Sequence, residues 1–189
     1  MIAKAAFVVL SGVIIIGGIL IAMENRRLLK EGERAPDFTA RLNTGALFSL
    51  AEHRGKHNIV LFFYPKDFTY NCTKEVCSFR DNYDVLKRYD AVLVGISYDD
   101  AGSHQAFIAQ HRLPFPLISD TDKSIARAYG AQARFGGLFG GAKRVTYVID
   151  KKGVIRSVVH SEVFVGEHVA VALEVLKKLE AEEGSLAKQ

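Results

Sequence analysis

Hydrophobic and polar positions follow one another along the chain in blocks that predict a series of strands and helices. Continuous apolar runs at residues 58–64, 91–97 and 144–149 predict strands that are buried on both faces of a sheet. Between and after these strands, apolar residues recur every three or four positions, which indicates amphipathic helices. The predicted helices cover residues 72–89, 101–111, 122–129 and 166–183. This alternation is typical of an α/β fold with helices on both sides of a central sheet.

Two predicted hairpins indicate that the sheet is mixed. A turn at residues 43–45 joins residues 38–42 to residues 46–50, and its glycine supplies the positive φ that such a turn requires. A second turn, at residues 150–153, reverses the chain into a strand that pairs with the one before it. Neighbouring strands of the sheet are therefore expected to run both parallel and antiparallel.

The N-terminal segment has a different composition. Residues 5–23 contain no charged side chain, and as a helix they would span about 28 Å, close to the apolar thickness of a bilayer. An uncleaved anchor is favoured over a cleaved signal peptide, because Leu20-Ile21-Ala22 is a poor cleavage site. Basic residues after the span favour a single-pass membrane protein with its globular domain in the cytoplasm. The predicted organisation is a membrane anchor at 1–23, a charged linker at 24–34, a globular domain at 35–183 and a polar tail at 184–189.

Composition excludes several classes of function. The 189-residue chain has a formal charge of +4, but its basic residues are interspersed with acids. No basic stripe with interleaved aromatic residues is present, so nucleic-acid binding is not expected. The six histidines show no metal-ligand spacing with the cysteines, and surface or capping roles are expected for them. Two cysteines are too few for a disulfide scaffold in a chain of this length.

Cys72 lies at the start of the helix predicted at residues 72–89. A free thiol, with a pKa of about 8.5, is mostly protonated at neutral pH, whereas the thiolate is the nucleophile. Unpaired N–H groups and the positive end of the dipole in a first helical turn favour an anion. Thr69 can direct its hydroxyl at the sulfur, and Pro65 fixes the preceding turn and shields one side. We expect Cys72 to be a nucleophile, with an inert buried thiol as the alternative.

Cys77 follows five residues later in the same predicted helix. On an ideal helix the two Cα atoms would lie about 8.7 Å apart, beyond the ~7 Å that a disulfide bridges. A bond between them therefore requires local unwinding, which suits a redox cycle. The alternative is that Cys77 is a small apolar residue on the helix.

The pattern Pro65-x-x-x-Thr69-x-x-Cys72 resembles the active-site signature of peroxiredoxins, which are AhpC/TSA-like proteins. With a second cysteine five residues on, the chain resembles the Q-type, or bacterioferritin-comigratory, subfamily. The resemblance implies a thioredoxin-like three-layer fold and thiol-dependent reduction of hydrogen peroxide and organic hydroperoxides, with no cofactor or metal. It makes Cys72 the peroxidatic residue and Cys77 the resolving residue of an intramolecular disulfide. Arg144 matches the family arginine that contacts the sulfur and the peroxide.

The same resemblance implies the partners. A thioredoxin or similar dithiol is expected to recycle the disulfide, and the protein is expected to be a monomer or weak dimer. Membrane association through residues 5–23 would add lipid hydroperoxides to the substrates. One departure from the subfamily is Tyr70-Asn71, where Pro-Gly is usual before the cysteine.

Other functions stay open from the sequence. A membrane-anchored thiol–disulfide oxidoreductase would have a Cys-x-x-Cys motif, and a redox sensor would use the same disulfide as a peroxidase. A Sco-type copper chaperone would have Cys-x-x-x-Cys and a distant histidine, for which His160 is a candidate. The glycine-rich residues 136–141 lack the features of a phosphate loop. Because they lead towards the arginine, an apolar rim of Phe135, Leu138 and Phe139 is expected near the site.

Overall fold

The structure is a computed structural model that describes residues 27–133 and 140–186. Its strands are β1 (Thr39–Arg41), β2 (Leu47–Ser49), β3 (Asn58–Phe63), β4 (Ala91–Ser97), β5 (Leu117–Ser119), β6 (Val145–Ile149) and β7 (Ile155–His160). Its helices are α1 (Tyr70–Asp81), α2 (Tyr83–Arg88), α3 (Ala101–His111), α4 (Ser124–Ala128) and α5 (Val165–Leu186), with a 3-10 turn at Leu50–His53.

The central sheet has five strands in the order β5-β4-β3-β6-β7. Strands β3, β4 and β5 are parallel, whereas β6 pairs antiparallel with both β3 and β7. The sheet is therefore mixed, as predicted. The hairpin of β1 and β2 forms a separate two-stranded sheet, so the mixed character comes from β6 and β7 alone.

Strand β3 lies in the middle of the sheet and is buried along its whole length. Ile59, Leu61 and Phe63 belong to a core shared with the hairpin and α4. Val60 and Phe62 belong to the core on the other face, with α1, α2 and α5. Because alternate residues of β3 are buried on opposite faces, the strand stabilises the packing of the sheet against the layers on both sides. The carboxyl end of β3 consequently delivers the chain directly to the start of α1.

The helix predicted at residues 72–89 is two helices. Helix α1 begins two residues earlier than predicted, and a break at Asn82 separates it from α2. Asn82 leaves the helical region (φ −108°, ψ 7°), and its Nδ2 donates to the Ser78 carbonyl at 2.9 Å. This side chain competes with the backbone for a helical acceptor. Both cysteines remain in the unbroken α1, with Cys72 as its third residue.

The prediction of an N-terminal transmembrane helix is corrected by the structure. Across residues 27–133 and 140–186, no helix is both long and apolar enough to cross a membrane. The 22-residue α5 has the length, but charged side chains such as the Glu174–Lys178 pair line its exposed face. The predicted span at residues 5–23 lies outside the described residues. The fold class of the described residues is therefore an α/β domain with a mixed sheet.

Part of the predicted charged linker is packed against the domain. The N–H of Gly32 donates to the carbonyl of Ile155, the first residue of β7, at 2.8 Å. Leu28 and Leu29 lie against the core on the hairpin side of the sheet. Backbone pairing and apolar burial thus hold residues 28–34 to the domain.

Candidate active site

The turn after β3 is closed on one side by a second segment of backbone. Pro65 is buried, and a Cβ atom built on Gly141 would lie 2.0 Å from the Pro65 carbonyl oxygen. Only glycine, which lacks a Cβ, allows the two segments to approach this closely. The chain around Gly141 therefore covers the turn that leads to Cys72.

A buried polar cluster fastens the same turn to α3. The Asp67 cluster consists of Asp67, Tyr64, Ser103 and His104. The carboxylate of Asp67 accepts hydrogen bonds from Tyr64 Oη and Ser103 Oγ, each at 2.7 Å, and lies 2.9 Å from Nδ1 of His104. His104 Nε2 lies 3.2 Å from the Ile118 carbonyl, so both ring nitrogens face acceptors. Burial, and then Asp67, raise the pKa of Tyr64 well above its ordinary value, so its hydroxyl stays a donor.

Thr69 occupies the N-cap position of α1 without capping it. Its backbone is extended (φ −82°, ψ 149°), and its hydroxyl donates to the Lys66 carbonyl at 3.0 Å instead of accepting from the helix. The first helical hydrogen bond runs from the Thr73 N–H to the Thr69 carbonyl, at 2.8 Å. No residue of the first turn is acidic. The N–H groups of that turn and the positive helix end therefore remain available to an anion.

Cys72 is completely buried, and its sulfur faces a guanidinium group. Nη2 of Arg144 donates to Cys72 Sγ at 3.3 Å. Arg144 immediately precedes β6, the antiparallel neighbour of β3, and pairing of the two strands brings it to the start of α1. Because a guanidinium stays charged at every physiological pH, it is a permanent cation that favours the thiolate of Cys72.

A carboxylate orients this guanidinium. Glu75 lies one turn after Cys72 in α1, is completely buried, and accepts a hydrogen bond from Nη1 of Arg144. Burial raises the pKa of Glu75 to about 7, against the opposing effect of Arg144. The backbone N–H of Arg144 donates to Glu162 at 3.0 Å. Two acidic side chains thus fix Arg144, one at its guanidinium and one at its backbone.

His168 of α5 lies behind the carboxylate of Glu75. Its Nδ1 is 2.8 Å from Thr146 Oγ1 and 3.6 Å from Glu75 Oε1, and its Nε2 is 3.0 Å from the Ser161 carbonyl. Burial lowers the pKa of His168, which favours the neutral ring. Among the described residues, Glu75 Oε1 has no hydrogen-bond partner. The arginine and its carboxylate are therefore enclosed by α1, β6 and α5.

Cys77 has different surroundings. It is half-buried, and its sulfur lies 4.0 Å from Nδ1 of His111, the last residue of α3. Both cysteines are free thiols. The structure therefore brings Pro65, Thr69, Cys72 and Arg144 to one place, and leaves Cys77 on the side of α1 that faces α3.

Aromatic residues flank the N-cap of α1. Phe68 is 48% exposed and Tyr70 is 73% exposed, on either side of Thr69 in the chain. The apolar rim predicted from Phe135, Leu138 and Phe139 falls outside the described residues. The described part of the chain thus has exposed aromatic surface beside the N-cap of α1, and the rim of Phe135, Leu138 and Phe139 stays a prediction.

Sequence reasoning missed several residues of the site. Glu75 could have been found, because a spacing of three places it on the same helix face as Cys72. The histidine prediction is wrong for His104 and His168, which are completely buried. Their partners come from distant parts of the chain, so no local pattern identified them.

In the described residues, no group of His, Cys, Asp and Glu side chains could hold a metal ion. His160, the ligand considered for a copper chaperone, lies at the end of β7, 3.7 Å from Glu162. The copper-chaperone alternative therefore has no support in this part of the chain.

The sequence matches a known family over most of the domain. The model of the AhpC/TSA family matches residues 32–158. Peroxiredoxin Q, chloroplastic, of Populus jackii is 40% identical over 151 residues, which cover 80% of this chain and 70% of that protein. Peroxiredoxin Bcp of Bacillus subtilis is 39% identical over 152 residues, which cover 78% of this chain and 95% of that protein.

The fold also matches a solved structure. The bacterioferritin comigratory protein of Xanthomonas campestris has a TM-score of 0.68 and 29% sequence identity, with 75% of this chain and 90% of that chain covered. This similarity confirms the thioredoxin-like α/β fold with a mixed sheet.

The predicted membrane localisation is contradicted by the same comparisons. The alignment occupies 95% of the B. subtilis protein, which leaves that relative little length for a counterpart of residues 5–23. The comparisons give no support to a single-pass membrane protein with a cytoplasmic domain, or to membrane association as a partner interaction.

The family match spans well over half of the chain, and it includes the segment in which the buried thiol, the arginine and the second thiol lie. The relatives are peroxiredoxins and are similar over most of their own length. The chain therefore belongs to the AhpC/TSA family and, within it, to the Q-type (bacterioferritin-comigratory) peroxiredoxins, which are thiol-dependent peroxidases.

Proposed function

We propose that Cys72 is the peroxidatic residue of this peroxidase and that Cys77 resolves it. The observation that carries the proposal is the 3.3 Å contact between Arg144 Nη2 and the buried sulfur of Cys72. The sulfur lies in the first turn of α1, where N–H groups and the dipole favour an anion. A thiolate in a site closed by Pro65 and Gly141 is protected from bulk water and poised to attack.

The peroxide oxygens are held by Arg144, the backbone N–H of Cys72 and Thr69. Thr69 now donates to the Lys66 carbonyl, so its hydroxyl must rotate towards the substrate. The Cys72 thiolate attacks the nearer oxygen, and the O–O bond breaks. The departing oxygen takes up a proton and leaves as water or an alcohol, and Cys72 becomes a sulfenic acid.

Cys77 then condenses with the sulfenic acid to give a disulfide and water. Because α1 is unbroken between the two cysteines, its first turns must unwind for the sulfurs to meet. A thioredoxin-like dithiol restores both thiols by exchange. No cofactor is required by this sequence of steps.

Organic hydroperoxides are proposed as substrates beside hydrogen peroxide. The solved X. campestris protein is described for its alkyl peroxide reduction activity. In this chain, the exposed rings of Phe68 and Tyr70 flank Thr69 and offer apolar surface for an alkyl group. Hydrogen peroxide, which lacks such a group, gains nothing from these rings.

The experiment measures peroxide consumption by the purified full-length chain with a thioredoxin system. Cys72→Ser should abolish consumption. Cys77→Ser should lose thioredoxin-linked turnover but retain one round of Cys72 oxidation. Since the chain has only two cysteines, each variant is the matched control of the other. Full turnover in Cys72→Ser would refute the assignment.

A further inference from the structure

Cys77 lies beside a histidine that the proposed function does not use. Nδ1 of His111 is 4.0 Å from Cys77 Sγ, and both side chains are half-buried where α1 meets the end of α3. The contact is long for a hydrogen bond, and hydrogen bonds to catalytic bases are often long in a resting structure. Each thiol therefore has one nitrogen-bearing side chain beside it, because Arg144 contacts Cys72 in the same way.

We propose that His111 is the proton acceptor for Cys77 during disulfide formation. This inference rests on the proposed role of Cys77 as the resolving residue. A thiol attacks efficiently only as its thiolate, and an imidazole is the side chain best suited to accept its proton near neutral pH. Arg144 could not serve in this way, because a guanidinium has no free lone pair to accept a proton.

Disulfide formation passes one proton from Cys77 to the departing hydroxide by way of His111. Nδ1 of His111 takes the Cys77 thiol proton, and the resulting thiolate attacks Sγ of the Cys72 sulfenic acid. The S–S bond forms as the S–O bond breaks, so Cys77 sulfur is oxidised and Cys72 sulfur is reduced. The departing hydroxide takes the proton from His111 and leaves as water, which returns the imidazole to its neutral form.

A set of contacts keeps His111 and Cys77 together. Nη1 of Arg80, one turn after Cys77, donates to the His111 carbonyl at 2.8 Å. The ring of Phe107 packs edge-on against the imidazole, with centroids 4.9 Å apart. The Arg80 guanidinium is itself fixed by Asp81, at 2.8 and 2.9 Å. The half of α1 that carries Cys77 is thereby attached to α3.

These contacts indicate which cysteine moves. The turn before Cys72 is held by Asp67, and the helix after Cys77 is held through Arg80. Between the two attachments lie residues 68–79, and unwinding of the part before Cys77 brings Cys72 towards a stationary Cys77. His111 therefore stays beside the thiol that it activates until the disulfide forms.

Arg80 is a charged group beside both His111 and Cys77. Arg80 of α1 donates to the His111 carbonyl and is paired with Asp81. The pKa of Arg80 is raised chiefly by its hydrogen bond to Asp81 and further by Cys77. The positive charge of Arg80 thus favours the thiolate of Cys77. From α3, the apolar ring of Phe107 packs against His111.

The experiment isolates the resolution step. Reduced full-length protein is oxidised with one equivalent of hydrogen peroxide, and sulfenic acid and disulfide are quantified by quenching and mass spectrometry. In His111→Gln, disulfide formation at pH 7 should be roughly 10²-fold slower, the lower end for general base catalysis, while Cys72 oxidation keeps its rate. His57→Gln, which changes a histidine paired with Asp90 before β3, should leave both rates unchanged.

Two further readouts exclude a merely structural role. Disulfide formation in His111→Gln should approach the rate of the unmodified protein as pH rises and should equal it by about pH 10, because hydroxide then removes the thiol proton without a protein base. Imidazole in the buffer should accelerate disulfide formation in His111→Ala, which leaves space for it. A deficit that is independent of pH and insensitive to imidazole overturns the inference, and so does an unchanged rate in His111→Gln.

The result also separates this inference from the proposed function. If hydrogen peroxide fails to oxidise Cys72 in the unmodified protein, the proposed function fails. If Cys72 is oxidised and the disulfide forms equally fast in His111→Gln, the proposed function stands and the role of His111 is refuted.

Discussion

Cys72 and Cys77 are the same residue type in one helix, yet their surroundings differ in almost every respect. Cys72 is completely buried at the uncapped start of α1, with a guanidinium 3.3 Å from its sulfur. Cys77 is half-buried five residues on, with an imidazole 4.0 Å from its sulfur. Five residues along a helix turn a side chain about 140° around the axis, so each sulfur meets a different layer of the domain.

The difference separates two ways of making a thiolate. Arg144 is a permanent cation that stabilises an anion before the substrate arrives. The neutral imidazole of His111 has a free lone pair, and so it can take up a proton and release it within one cycle. Cys72 reacts first and has a permanent positive charge beside it. Cys77 reacts only after the sulfenic acid has formed, and it has a base beside it.

The largest expected effect comes from removing the permanent cation. Arg144→Gln should slow oxidation of Cys72 by roughly 10²- to 10³-fold, as for the loss of one charge-stabilising donor from a preorganised site. Resolution of sulfenic acid that has already formed should be almost unaffected, because His111 is untouched. Since the chain has no tryptophan, quenched samples are followed by mass spectrometry.

The matched control is Arg156→Gln, which removes an arginine bound to Glu182 and Asp150 away from the thiols. It should leave both rates unchanged. If Arg144→Gln slowed oxidation and resolution equally, the two thiols would share one electrostatic environment and the contrast between them would be lost.

The next effect concerns the carboxylate behind the arginine. Because the pKa of Glu75 is raised from 4.5 to about 7, the folded protein binds its proton more tightly than the unfolded chain. That contribution to stability is complete below about pH 4.5 and is lost as pH rises through about 7. Glu75→Gln should therefore lose less stability between pH 5 and pH 8 than the unmodified protein, by up to about 3 kcal/mol.

Urea unfolding at the two pH values measures this difference. Glu180→Gln, a change to an exposed carboxylate on α5, is the control and should keep the pH dependence of the unmodified protein. If Glu75→Gln and the unmodified protein had the same pH dependence of stability, the buried carboxylate beside Arg144 would not set the Cys72 site apart from the surroundings of Cys77.

The smallest effect tests the covering of the Cys72 side by backbone. A Cβ at position 141 would overlap the Pro65 carbonyl, so Gly141→Ala should cost about 2 kcal/mol through overpacking. Oxidation of Cys72 should slow, whereas alkylation of Cys77 should keep its rate. Chemical denaturation and quenched alkylation measure the two quantities.

Gly166→Ala is the matched control, because its Cβ would meet no atom within 4 Å. It should be neutral or stabilise α5 by about 0.5 kcal/mol. Equal losses in the two variants would mean that the close approach to Pro65 has no special importance.

Much of this arrangement could be predicted because the signals are local. The apolar run of β3 predicted a strand buried on both faces, and the Pro65, Thr69 and Cys72 spacing placed the thiol in a first helical turn. Each of these depends on residues within about 15 positions of one another. The mixed sheet was also within reach, since the turn before β7 is marked by its own sequence.

The rest depends on contacts between distant residues. Nothing near Glu75 indicates that its partner is Arg144, 69 positions away, and nothing near His111 indicates a cysteine 34 positions earlier. The break at Asn82 arises from one side-chain hydrogen bond that overrides a continuous amphipathic pattern. The membrane prediction weighed the composition of residues 5–23 alone, with no tertiary context.

The uncapped start of α1 has a consequence for engineering. Helix α3 is capped by Asp100, whose side chain accepts from the Ser103 N–H, whereas Thr69 gives α1 no such bond among the described residues. An N-cap contributes about 1 kcal/mol to the stability of a helix. Helix α1, whose first turns must unwind, therefore lacks a stabilising contribution that α3 has. A substitution that stabilises the first turn of α1 without changing Thr69 would thus improve the fold and slow the catalyst, because turnover requires that turn to unwind.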